Sequence, residues 1–190
     1  MIVLVTVFYI GSTLIKKTKI KTDSILEHNI FSIGIGFSAI ILILSTFGFL
    51  GLLHDWLFRI FFYLTFSFFI VKIYPSNRNL FRTIITGYPK DYYIITLFIF
   101  ILSLLYLFTS LTPTLDGDSM YGYLALAREY FIHHKIIPVD HYYGSIFPQN
   151  GQLISTLGFL LGDQIIAQLL VVWVMGILCC LIIFAISITI

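Results

Sequence analysis

The sequence predicts an all-α, polytopic transmembrane protein whose outer loop carries an amphipathic membrane-surface helix. Three observations lead there. Hydrophobic residues make up 59% of the 190-residue chain and charged residues 11%, with a mean hydropathy of +1.00. A soluble domain of this length needs a polar surface that this composition cannot build. Apolar runs of about 18 or more residues recur, and each is long enough to cross a hydrocarbon core ~30 Å thick. Alternating segments of about ten residues, the mark of a transmembrane β-barrel, are absent from the sequence.

Residues 1–112 are expected to hold four membrane helices. The first run, about 2–15, is short but can span with some mismatch. It lacks a basic region before it and is followed by "KKTKIK" rather than a small-residue cleavage site, so it does not read as a secretory leader. The second run, about 29–53, is separated from the third, about 56–73, by only "HD". Trp56, an interfacial residue type, leads the third run, and Tyr92 and Tyr93 open the fourth, about 92–112.

The basic residues orient these runs. Lys16, Lys17, Lys19 and Lys21 follow the first run, and Arg78, Arg82 and Lys90 follow the third. The positive-inside rule places both loops in the cytoplasm. The fourth run must then lead outward, so residues 113–150 form an extracytoplasmic loop. Residues 151–190 return as a short apolar segment, 151–162, and a last run, about 164–190. That run reaches the end of the sequence without a polar cap, so we expect the chain to be the N-terminal part of a larger plasma-membrane protein. The adjacent Cys179 and Cys180 lie in this run and point about 100° apart on a helix. They suit packing rather than mutual pairing.

The outer loop carries the chemistry. Pro113 ends the fourth run, and "TLDGDS" follows as a turn in which Asp or Ser can cap a helix. A helical pattern runs from about Ser119 to His134. Tyr121, Leu124, Arg128 and Phe131 form one face; Asp118, Gly122, Ala125, Glu129 and His133 form a small or polar stripe. Such a helix can lie on a membrane surface. Asp116 and Asp118, one residue apart, can point the same way from a turn. A carboxylate pair of that kind can hold a divalent cation, Mg or Mn, against a phosphate, or supply a general base. A solvated turn with Asp118 as the cap accounts for the same spacing. Arg128 can bind a phosphate, pair with Glu129 or reach toward lipid headgroups. Arg59, early in the third run, is expected to reach toward the outer headgroups. His133, His134 and His141 lack a zinc-ligand spacing and read as polar surface residues.

The order of these features resembles a known family. A membrane helix, then "PTLDGDSMYGYLALAR", then an amphipathic helix, then "FPQNGQLISTLGFLLGDQIIAQLL" is similar to the first outer loop of GT-C class glycosyltransferases. These polytopic enzymes take sugars from polyprenyl-phosphate carriers. They include the dolichyl-phosphate-mannose protein mannosyltransferases and the aminoarabinose-to-lipid-A transferases. The similarity covers about residues 105–175. It implies that Asp116 and Asp118 are the catalytic acidic pair, with Tyr121 and Arg128 near the substrate. It further implies a polyprenyl-phosphate-linked sugar as donor and a glycan, lipid or protein as acceptor, with membrane lipid around both and no nucleic acid. The motif here follows the fourth apolar run rather than the first, a departure that additional N-terminal helices would explain, as would a different family with a similar loop. The candidate pocket is the space between the surface helix and residues 151–162. Two other classes fit the same composition: a transporter subunit, with the aspartates at an ion entrance, and a non-enzymatic membrane scaffold. A transporter calls for ionisable residues deep in its spans, and the span centres here are nearly free of charge, with Asp163 the nearest to an exception.

Overall fold

The structure is a computed structural model that describes residues 2–22, 25–73, 93–112, 124–139 and 150–189. All regular structure among these residues is helical. The helices are α1 (Ile2–Thr18), α2 (Ile25–Phe49), α3 (Asp55–Ile73), α4 (Tyr93–Leu111), α5 (Leu124–His133), α6 (Asn150–Leu161), α7 (Gln164–Gln168) and α8 (Met175–Thr189). A π-helical turn, Leu169–Val174, joins α7 to α8. Among the described residues two stretches are long and apolar enough to cross a membrane: Leu26–Phe49, with a hydropathy of 2.3, and Gln164–Phe184, with 2.8.

The six apolar runs of the sequence all appear as helices, with shifted ends. α1 continues through Lys16 and Lys17 to Thr18, where basic side chains complement the negative end of the helix dipole. α2 starts four residues before its apolar run, taking in Glu27 and His28, and stops at Phe49 rather than near 53. Gly51 supplies the positive φ of 73° in the turn that follows.

Small residues set the closest approach. α1 and α2 form a tight antiparallel hairpin around Gly11 and Gly36. A Cβ at Gly11 would lie 1.7 Å from the Ser32 carbonyl oxygen, and one at Gly36 would lie 2.0 Å from that of Val7. Helix backbones meet this closely only where side chains are small. α6 and α7 make a second close hairpin, where a Cβ at Gly158 would fall 2.2 Å from the Ala167 Cα. The turn between them is set by Asp163, whose Oδ1 accepts the Ile166 N–H at 3.1 Å. The charge noted near the last run is therefore a helix cap.

Most of α6 is enclosed, with Leu157 and Leu160 fully buried, and Gln152, Ser155 and Thr156 buried beside them. The core runs from Val7 of α1 through Leu44 of α2 and Phe62 of α3 to Leu157, Leu160 and Leu170. By contrast, α4 exposes most of its apolar side chains, among them Ile94, Phe98 and Phe108.

Candidate functional site

The chain leaving α5 is bolted to the α2–α3 turn. The Leu53 N–H donates to the His134 carbonyl at 2.9 Å, and the Ile136 N–H donates to that of Gly48 at 3.0 Å. His134 takes a positive φ of 54°, and its Nδ1 lies 3.0 Å from the Leu53 oxygen. Because a carbonyl only accepts, Nδ1 is the protonated nitrogen in this bond. The imidazoles of His54 and His134 pack with centroids 4.3 Å apart. These bonds fix α5 at the same end of the bundle as the start of α3.

α5 packs one side against α6. Its buried residues are Leu124, Leu126, Ala127 and Tyr130. Leu124 and Ala127 pack with Phe159 and Ala167, joined by Phe131, and the Phe131 and Phe159 rings stack with centroids 6.2 Å apart. Two members of the aromatic face read from the sequence, Leu124 and Phe131, thus pack toward Phe159 of α6. Burial of the apolar face against a neighbouring helix outweighs its exposure, as it does in most short helices. His133 pairs with Glu129 at 3.4 Å along the same helix.

A cavity among the described residues lies at another place. A cleft of about 510 Å³ opens between the start of α1, the first turns of α3, the end of α6 and the α7–α8 junction. Ile2 and Leu4 form one side, and Phe62 and Tyr63 another. Leu161, Leu170 and Trp173 close it. Among the described residues its one charged lining residue is Arg59. The guanidinium lies 3.4 Å from the Asp55 carboxylate one turn earlier, and Nε donates to the Leu160 carbonyl at 3.4 Å, near the end of α6. Rather than only reaching outward, Arg59 ties α3 to α6. Its remaining donors are available at the edge of an apolar cleft. An apolar recess with one cation at its edge suits an amphiphile with an anionic head.

Of the residues expected to form the site, Asp116, Asp118 and Tyr121 lie outside the described residues, as does His141. Arg128 is exposed on α5 and does not line the cleft. Among the described residues no group of three or more His, Cys, Asp or Glu side chains is placed to hold a metal ion. Cys179 and Cys180 are free thiols. The sequence did carry a signal for Arg59: it is the only charged residue between Trp56 and Val71.

No family model matches this chain, and no solved structure matches it. Over 76 residues the chain is 36% identical to an uncharacterized protein of Shigella flexneri. That alignment takes in 40% of this chain and spans 38% of the length of the relative.

Proposed function

We propose that this chain belongs to a multi-pass plasma-membrane glycosyltransferase of GT-C type, which moves a sugar from a polyprenyl-phosphate carrier to an acceptor at the outer face. The observation that carries this reading is the cleft: an apolar recess in which Arg59 is the single charged lining residue among those described. It opens near the start of α3, at the bundle end where His134 and Ile136 are bound to the α2–α3 turn. The donor's hydrocarbon chain occupies the recess, and its phosphate meets Arg59. In the sequence Asp116 and Asp118 fall between α4 and α5. One carboxylate takes the proton of the acceptor hydroxyl or amine; a divalent cation, if bound, would be held by the oxygens of the pair and would offset phosphate charge. The acceptor oxygen or nitrogen forms the new bond to the anomeric carbon, and the carrier leaves with its phosphate. Charge effects of this kind are stronger at a site that excludes water.

The test is sugar transfer in membranes containing the protein, supplied with a panel of polyprenyl-phosphate sugars. Wild type is compared with Asp116→Asn and Asp118→Asn at matched expression. Transfer by wild type that collapses in either variant is expected, by at least about 100-fold for loss of a general base. Transfer that persists unchanged in both variants removes the acidic pair from the mechanism. No transfer from any donor shifts weight to a scaffold or transporter role.

A further inference from the structure

One wall of the cleft is not an ordinary helix. Leu169–Val174 forms a single π-helical turn. It begins where the Leu169 N–H is shared between the Ile165 and Ile166 carbonyls, and it ends where the Met175 N–H bonds to the Val172 carbonyl. A π turn closes i→i+5 bonds and so holds more chain per turn than an α-helix; such turns are rare and gather at functional sites. The segment "QIIAQLLVVWVMGIL" contains no proline, so the distortion is not a proline kink. What the turn touches is therefore the place to look for its use.

The turn meets two surfaces at once. Leu169, Leu170, Trp173 and Val174 line the cleft. Within the same turn the Trp173 indole N–H donates to Ser103 of α4, at 3.1 Å to the carbonyl and 3.3 Å to Oγ. A half-buried indole needs such an acceptor. Successive residues of an α-helix are turned by about 100°. Taking one residue out of the π turn would therefore swing Trp173 away from Ser103 or away from the cleft. The wider turn lets Trp173 do both, and its bonds to Ser103 fix how far the ring enters.

We infer that the π turn, with Trp173 pinned on Ser103, determines which hydrocarbon chain the cleft admits. This rests on the cleft's role as the carrier-chain site proposed above. The ligand class is a single apolar chain bearing a phosphate, and the turn sets the preference between a methyl-branched isoprenoid chain and a straight one. A wall fixed by hydrogen bonds discriminates between chains of different width, because branched methyl groups must fit against an unyielding ring.

The experiment uses the protein in detergent micelles. Two tryptophans are present in the chain, so the Trp56→Phe background leaves Trp173 as the sole indole. Quenching by a terminally brominated dodecyl phosphate then reports a chain beside Trp173. Affinities for farnesyl phosphate and dodecyl phosphate follow from displacement of radiolabelled farnesyl phosphate. They are compared between wild type, a Val172 deletion, which returns the turn to α geometry, and Trp173→Phe, which keeps a ring but loses the bonds to Ser103. Far-UV circular dichroism reports helix content. Should the deletion fail to fold, Trp173→Phe still decides. Quenching of Trp173, with the farnesyl-to-dodecyl affinity ratio shifted about fivefold or more in a folded variant, is the expected result. Quenching with that ratio unchanged within about twofold in every folded variant overturns the role of the turn and leaves the carrier site standing. Absence of quenching by any alkyl phosphate overturns both.

Discussion

Replacing Arg59 with Gln separates a binding role from a structural one. In the folded protein the side chain makes two contacts whose loss can be sized. The Nε bond to the Leu160 carbonyl, at 3.4 Å, is beyond the usual range for an N–H···O bond, and a cation at a helix C-terminus contributes about 0.3–1 kcal/mol. The Asp55 pair, also at 3.4 Å, joins side chains that are 46% and 41% exposed. Solvent screening limits such a pair to about 0–1 kcal/mol. The stability loss is therefore on the order of 1 kcal/mol, a shift of about 2–4 °C in melting temperature for a chain of this size. A bound phosphate is different. Losing a charged hydrogen bond to it costs about 1.5–3 kcal/mol, or about 10- to 150-fold in affinity. Arg59→Lys should retain part of the affinity, because the charge remains while the planar fork is lost. The assay pairs thermal unfolding in detergent with equilibrium binding of farnesyl phosphate. A large loss of stability with unchanged affinity would refute the assignment, and would make Arg59 a staple between α3 and α6.

Other changes test the packing. Gly158→Leu places side-chain atoms where the Ala167 backbone already lies, and should cost about 1–3 kcal/mol or more, read as a lowered melting temperature. Gly11→Val meets the Ser32 carbonyl in the same way; separation of α1 from α2 should appear as lost crosslinking between cysteines engineered on the two helices. Asp163→Ala removes the cap on the Ile166 N–H and should cost about 1 kcal/mol in unfolding experiments. A decrease below about 0.3 kcal/mol would show that water replaces the cap at no loss.

The helices were legible because a run of apolar residues carries its own signal. The runs near 2–15 and 56–73 reappear as α1 and α3. Their ends were harder to read, since charged residues such as Glu27 can sit within a helix whose other residues stay apolar. The partner of α5 was hidden for a different reason. Periodicity shows that Leu124 and Phe131 share a side, but not whether lipid or Phe159 covers it. Arg59 was visible as a lone charge, yet its partner Leu160 is 101 residues away in sequence, and no local pattern encodes such a meeting. The π turn had no signal in composition: its residues are apolar like their neighbours, and the Ser103 that meets Trp173 lies 70 residues away in sequence. The acidic pair remains a reading of motif and resemblance.

The bonds between the α2–α3 turn and the chain after α5 also set an order of events during synthesis. Leu53 and His134 are 81 residues apart. At translation rates of about 5–20 residues per second, His134 is made about 4–16 seconds after Leu53. Through that interval the Leu53 N–H and the Gly48 carbonyl must be satisfied by water or by an insertion factor. The α1–α2 hairpin, whose partners are neighbours in sequence, has no such wait. Synthesis therefore delivers a finished hairpin first and an end that is sealed late. A substitution weakening the His134 junction should act mainly on the late step, leaving the early hairpin intact for quality-control proteases to find.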